Sequence, residues 1–372
     1  MKHELDRIEI PGEHEARERT WNVMAAAFSE RQPVEPKRRM LRPAVAIAIA
    51  VAALAAVLSP SGRAVLDEIR EVVGVERAQP ALFSLPAAGQ LLVASDAGIW
   101  VVQQDGSKRL LGEYREASWS PFGRFVVAAR ANELAALEPN GDVRWTLARP
   151  GVRWPRWSGT ETDTRIAYVD RTGIRVVAGD GSDDRLLARD ARGPIAWRPG
   201  PGFVLAYHSR AGRLTTIDVV SGRVLSRSRL RAVPTTLAWS DDGRRLLAAA
   251  PLSVTLLNGR GRVVTLEGPS DGTSAEADVF RPGTLQVFEI RREGAGSNVL
   301  RWMDGRSLFR GTGVFRDLSW SPDGRWLLVG WPTADQWVFV NADDERLRAV
   351  SNVSEQFRSR AFPTVEGWCC AQ

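Results

Sequence analysis

Six aromatic residues recur along this chain at a nearly constant spacing. They are Trp119, Trp157, Trp197, Trp239, Phe280 and Trp320, and the gaps between them are 38, 40, 42, 41 and 40 residues. A short turn with glycine follows five of the six rings, as in the Ser-Pro-Asp-Gly run at 321–324. Proline fixes φ in such turns and glycine supplies the positive φ. The chain is therefore an array of similar units of about forty residues.

Each unit has the content of four short β-strands. In the Trp320 unit we expect strands near residues 317–321, 326–329, 337–340 and 347–350. A period near forty with this content is typical of a β-propeller blade. One blade cannot bury both of its faces, so neighbouring blades must stack on it. The recurring ring is expected to pack between blades, because a large aromatic side chain buries much area at modest entropic cost.

The two ends of the array predict how the ring closes. Six whole units cover about residues 117–358, and two fragments remain. Residues 91–111 have the later strands of a unit without its first strand, and residues 360–368 have a first strand alone. Together they form one split blade, which removes two unpaired sheet edges. The prediction is an all-β, seven-bladed propeller over residues 85–372, with six blades as the alternative.

The repeated phrases resemble a known family of repeats. A Trp-Ser-Pro-Asp-Gly phrase, an apolar strand, and a strand ending in an acidic-Gly turn are similar to TolB-like propeller repeats, a WD40-like group. The resemblance covers roughly residues 85–372, and it implies a propeller that binds a protein or a ligand. Residues 134–145 and 214–225 also resemble quinoprotein-type repeats, but the other units do not continue that pattern.

An uncharged segment precedes the repeats. The 20 residues 43–62 contain no charged side chain and are rich in alanine and valine. As a helix they would reach about 30 Å, the thickness of a bilayer's hydrocarbon core. Lys37, Arg38, Arg39 and Arg42 lie just before them. We predict a single transmembrane helix at 41–59, with the N-terminus cytoplasmic and the propeller extracytoplasmic. A cleaved signal peptide and a buried soluble helix are the alternatives.

The segments on both sides of this predicted span are expected to be helical. Residues 1–39 hold eight basic and eight acidic residues, and 13–31 predict one amphipathic helix with a narrow apolar stripe. Residues 60–84 predict a stalk helix near 63–73 followed by a linker. A short cytoplasmic helix, one span and an exported domain together are similar in layout to membrane-bound anti-sigma regulators.

Few residues of the chain point to chemistry. Cys369 and Cys370 are adjacent and could be either disulfide-bonded or unpaired. His208 is the single histidine after the predicted span, so a histidine-based metal cluster is not expected there. We expect His208 to be partly exposed near a strand end, and residues 180–184 to form a hairpin turn rather than a calcium loop. The sequence predicts no catalytic, cofactor-binding or metal-binding residue, and no cofactor.

These observations favour a membrane-anchored, extracytoplasmic propeller of the bacterial envelope that acts as a binding scaffold. Its expected partner is an envelope protein or ligand, and nucleic acid is excluded by the predicted location. The alternative is a signal relay in which the propeller is the sensor and the tail helix binds a cytoplasmic regulator. A propeller enzyme of lactonase or quinoprotein type is a lesser alternative, because its metal ligands or cofactor cradle are not found in the sequence.

Overall fold

A closed ring of seven β-sheets makes up the described part of the chain. The computed structural model describes residues 75–79 and 84–370, apart from 190, 210, 252, 268–274, 294–295 and 303–304. Each of six sheets has four antiparallel strands, and the seventh has a fifth strand. The predicted all-β, seven-bladed propeller is confirmed. The predicted tail helix, transmembrane helix and stalk helix lie outside the described residues.

The strands run in chain order as β1 Val75–Gln79, β2 Gln90–Ser95, β3 Gly98–Val102, β4 Lys108–Gly112, β5 Glu116–Trp119, β6 Val126–Arg130, β7 Glu133–Leu137, β8 Val143–Ala148, β9 Arg153–Gly159, β10 Thr164–Asp170, β11 Gly173–Ala178, β12 Arg185–Ala188, β13 Ala191–Trp197, β14 Val204–Ser209, β15 Arg213–Asp218, β16 Val224–Arg229, β17 Thr236–Trp239, β18 Arg245–Ala250, β19 Ser253–Asn258, β20 Val263–Glu267, β21 Ala275–Phe280, β22 Val287–Glu293, β23 Ser297–Trp302, β24 Ser307–Thr312, β25 Arg316–Trp320, β26 Trp326–Trp331, β27 Gln336–Asn341, β28 Leu347–Ser351 and β29 Thr364–Cys369. A 3₁₀ helix at Pro332–Ala334 and the short helix α1 at Val353–Gln356 lie in the last part of the chain.

The first strand of each blade lies on the inside of the ring. Blade 1 combines β29 with β2, β3 and β4, and blades 2 to 7 take the successive groups of four strands from β5 to β28. Contacts between first strands run β5–β9–β13–β17–β21–β25–β29 and return to β5. This closed circuit makes these seven strands the wall of the central channel. Blade 1 draws strands from both ends of the propeller, so its sheet closes the ring.

Apolar clusters fill the spaces between blades, and the recurring rings are part of them. Trp320 meets Phe288 of blade 6 edge to face, with centroids 4.8 Å apart, and Trp368 meets Phe339 of blade 7 in the same manner at 5.7 Å. Trp119, Trp157 and Trp239 are buried against the preceding blade as well. The ring at the end of each first strand therefore joins its blade to the one before it.

A fifth strand extends the sheet of blade 7. The short strand β1 pairs in parallel with β28, the outermost strand of that blade. It lies in the range predicted as stalk helix and linker. An outer blade edge in this propeller can thus accept an added strand. Within the described residues, no helix has the length and apolar character needed to cross a membrane.

Removing the indole of Trp368 should destabilise the closed propeller more than a substitution at an exposed position does. Its side chain is 8% exposed and packs in the cluster that joins blades 7 and 1. We expect Trp368→Ala to lower the free energy of unfolding of the full chain by about 3–5 kcal/mol, the range for large aromatic truncations in cores. Urea unfolding followed by tryptophan fluorescence measures this. Val220→Ala, at a position 71% exposed, is the control and should have almost no effect. A Trp368→Ala variant as stable as this control would contradict the packing role.

Candidate functional site

A pocket of about 390 Å³ lies between blades 2 and 3. It opens on the face that carries the first turn of each blade, which we call the turn face. Four aromatic side chains line it: Phe122, Phe125, Trp145 and Trp157. Its size falls within the range of protein ligand sites, which are largely apolar with a few polar groups.

The aromatic walls are fixed by contacts within and between the two blades. Phe125 of blade 2 stacks on Trp157 of blade 3, with centroids 6.0 Å apart and planes within 17°. The indole Nε1 of Trp145 donates a hydrogen bond to the Gly179 carbonyl at 2.9 Å. Gly181 has φ +89°, and a Cβ there would lie 2.9 Å from Trp145 Cδ2, so glycine lets the turn close on the indole. The pocket is therefore preformed.

Phe122 at the mouth replaces a carboxylate that other blades use to stabilise the same turn. In blades 5 and 7 the corresponding residues are Asp242 and Asp323, and each accepts a hydrogen bond from the serine two residues earlier, at 2.6 and 2.5 Å. Blade 2 keeps that serine, and Ser120 Oγ accepts from the Phe125 N–H at 2.9 Å. Phe122 is 47% exposed. The turn thus carries an exposed apolar ring at a position where the same turn of blades 5 and 7 has an aspartate. Such an exposed apolar group is typical of a binding surface.

Charged groups form the rim of the pocket. The Arg144 guanidinium lies 5.7 Å from the centre of the Phe125 ring and pairs with Glu138 at 2.5 Å. Asp180 accepts hydrogen bonds from the Ser182 hydroxyl at 2.6 Å and its N–H at 2.9 Å, and these bonds lower the pKa of Asp180. Residues 180–184 lie in the connection between the antiparallel strands β11 and β12, as expected for the predicted hairpin turn. The pocket can accept an apolar or aromatic group, with charges of both signs at its edge.

A disulfide supports the turn that carries Phe122. Cys369 and Cys370 are bonded to each other. Their Sγ atoms lie 3.9 Å from the Ser120 carbonyl oxygen and 3.7 Å from that of Pro121, respectively. Gly123 has φ +67°, and a Cβ there would lie 3.0 Å from Cys370 Cβ. Cys369 and Cys370 thus pack directly against the turn that carries Phe122.

Three carboxylates lie close together on neighbouring first strands of the central channel. They are Glu116 on β5, Asp317 on β25 and Glu366 on β29. Glu116 accepts from the Trp154 N–H and pairs with Arg153 at 3.1 Å, and Asp317 pairs with Arg316 at 2.9 Å. Within the described part of the chain, no three His, Cys, Asp or Glu side chains are placed to hold a metal ion.

Burial raises the pKa of two of these carboxyls. The pKa of Asp317 rises to about 6 through burial, against the opposing effect of Arg316. The pKa of Glu366 rises to about 7, again through burial; Arg156 opposes this rise, and Glu116 and Asp317 add to it. Glu366 therefore changes charge near neutral pH inside the channel.

His208 differs from its predicted setting. It lies near the end of β14 as expected, but it is 4% exposed rather than partly exposed. Burial lowers its pKa, and Arg192 lowers it further. The sequence predicted no site residues, so the pocket and the channel carboxylates are findings of the structure. The missing turn aspartate at Phe122 was the signal in the sequence that could have located the pocket.

Comparisons with known proteins add little to this geometry. No family model matches the chain, and no curated protein matches it. The solved structures similar to this chain include one described as the crystal structure of the mitotic checkpoint complex, at 14% identity with a TM-score of 0.48, over 63% of this chain and 75% of that chain. The strand pairing and the contacts between first strands define the seven-bladed ring.

The charge of Glu366 should be visible in the pH dependence of stability. Because its folded pKa of about 7 exceeds the ordinary 4.5, the native state holds a proton that the unfolded state loses first. Stability falls as pH rises through this interval. We expect Glu366→Gln to remove this loss, so that its free energy of unfolding exceeds the wild-type value by on the order of 2 kcal/mol at pH 8 and converges with it near pH 4.

Urea unfolding across this pH range is the measurement for Glu366→Gln. The exposed Glu113→Gln is the matched control, and its difference from the wild type should stay constant with pH. A Glu366→Gln difference that also stays constant would show that the pKa of Glu366 is the same in the folded and unfolded states, and would contradict the raised pKa.

Proposed function

We propose that this chain is a membrane-anchored scaffold whose propeller binds a protein partner through the pocket between blades 2 and 3. The observation that supports this most is the exposed ring of Phe122 above a preformed aromatic pocket. Interfaces are commonly anchored by a few apolar or aromatic side chains that fill such pockets. The occupant we propose is an aromatic or large aliphatic side chain of the partner.

The propeller is also a suitable platform for this role. Its outer surfaces are presented by a ring held together through buried contacts between blades, so a bound partner would meet a rigid surface. The proposal assigns the propeller a binding role and no catalysis. The fold alone does not decide between these, because propellers support unrelated functions.

The proposed location comes from the sequence. The uncharged residues 43–62, with four basic residues just before them, support a single-pass anchor with the N-terminus in the cytoplasm. The propeller would then face the envelope. A signal relay is a second proposal, in which occupancy of the propeller is reported to a cytoplasmic regulator through the helix that the sequence predicts at 13–31. The narrow apolar stripe in the sequence of this segment supports it, because a lone helix of this length needs a partner.

Replacing Phe122 by aspartate should remove binding without weakening the fold. Asp at 122 can accept from the Ser120 hydroxyl, as Asp242 does from Ser240, so the free energy of unfolding should not fall. We expect the affinity of the full chain for N-acetyltryptophanamide to fall by about tenfold or more, the loss typical of a removed interface anchor. Saturation-transfer NMR measures the binding.

The matched control for Phe122→Asp is Leu285→Asp. Leu285 is 51% exposed in the first turn of blade 6 and does not line the pocket. This variant should bind the probe like the wild type. Equal binding by both variants, or no binding by any of the three proteins, would overturn the proposed pocket.

The anchor is tested by the fate of the chain in cells. We expect the full chain to remain in the membrane fraction after alkaline carbonate extraction. We also expect protease added outside the cells to digest the propeller. Deleting residues 43–62 should leave the propeller in the soluble fraction, because the apolar segment that holds it is gone. Full protection of the propeller in intact spheroplasts would contradict the orientation.

A further inference from the structure

Basic charge is concentrated in two adjacent blades. Residues 191–267, which form blades 4 and 5, hold 12 arginines and 4 acidic residues. The remaining residues from 84 to 372 hold 26 basic and 28 acidic residues. A local excess of this size creates a positive field that attracts anionic partners. The field belongs to one sector of the ring, not to the propeller as a whole.

Three of these arginines lie side by side on the outer strands of blade 4. Arg213 on β15 is directly opposite Arg229 on β16, and Arg227 projects from the same face two residues along. We call Arg213, Arg227 and Arg229 the arginine ladder. All three are exposed, and none forms an ion pair with another described residue. The face that carries them is the one that packs on blade 3, since Tyr207 and Ile217 on it join the cluster with Val176.

The fold does not require arginine at these positions. In blade 2 the corresponding strands place Glu133, Thr146 and Ala148 there, and Glu133 pairs with Arg130 at 2.9 Å. Like charges directly opposite one another in a sheet are destabilising. The ladder therefore works against stability unless an anion lies against it.

The strand that carries the ladder has an open edge. β16 is the outermost strand of blade 4, and among the described strands only β15 pairs with it. In blade 7 the equivalent strand β28 receives β1 as an added parallel strand. An extended segment could pair with β16 in the same way, and acidic side chains on alternate residues would then meet Arg227 and Arg229.

We propose that the outer edge of blade 4 binds an acidic protein segment in extended conformation, by strand addition to β16 with the arginine ladder selecting its carboxylates. Arginine suits this task because its planar fork matches a carboxylate with two parallel hydrogen bonds. This proposal does not depend on the pocket at Phe122.

The direct test is fluorescence anisotropy with the full chain and labelled peptides. The probe is a peptide of about ten residues with alternating glutamate and threonine, a length that exceeds β16 and a composition that allows strand pairing. A matched peptide alternates glutamate and proline, so it carries the same charge, lacks the N–H donor at every second residue, and has φ fixed at about −65° at each proline, which opposes regular strand pairing. Inorganic polyphosphate serves as an anion that is not a peptide.

We expect the glutamate–threonine peptide to bind, and the double variant Arg227→Glu/Arg229→Glu to weaken this binding by about tenfold or more. The control Arg115→Glu/Arg360→Glu changes the net charge equally at exposed sites away from blade 4 and should keep wild-type affinity. The glutamate–proline peptide should bind much more weakly than the probe. Equal binding of both peptides, equal loss in the control, or tight binding of polyphosphate alone would overturn the proposal.

A second readout separates binding from folding. Arg213→Glu places a carboxylate opposite Arg229, so it should raise the Tm of the free protein while it weakens peptide binding. A fall in both would mean that the ladder stabilises the blade and is not a binding surface.

Discussion

The pairing of β29 with β2 is the interaction on which the rest of this propeller depends. It joins the two ends of the domain in one sheet, so that seven first strands form a continuous inner wall. Without it, blades 7 and 1 would each present an open face, and the buried cluster around Trp368 would be exposed to water. The same strand places Glu366 in the channel and leads to the disulfide beneath the pocket. Closure, channel charge and pocket therefore share one structural element.

The two proposed binding surfaces come from departures from the repeat. All blades pack against their neighbours in the same way. A position that differs from its equivalents without a packing reason therefore indicates a candidate binding site. Phe122 takes the place of an aspartate that stabilises the equivalent turn in blades 5 and 7. Arg227 and Arg229 take the places of Thr146 and Ala148. Both changes lower local stability, and both leave exposed groups that favour one kind of partner. Phe122 favours apolar side chains, and the arginines favour carboxylates.

Much of the fold could be predicted from the sequence because the repeat signal is local. The ring at the end of each first strand and the glycine turn after it are adjacent residues, and they predicted the blades and strands such as Gln336–Asn341 to within one or two residues. The sites could not be predicted in this way. Trp145 and Gly179 meet only when blades 2 and 3 stack, and Glu116, Asp317 and Glu366 meet only when the ring closes. Arg213 lies opposite Arg229 only in the observed register of β15 and β16, which includes the bulge after Thr216. The sequence pattern does not show this bulge.

We propose that a protein partner docks over Phe122. A photo-crosslinking amino acid placed at 122 in cells that produce the full chain tests it most directly, with Leu285 on the same face as the comparison site. We expect a discrete adduct with one protein at 122, and none at 285. Absence of an adduct at 122, or the same adducts at both positions, would contradict it.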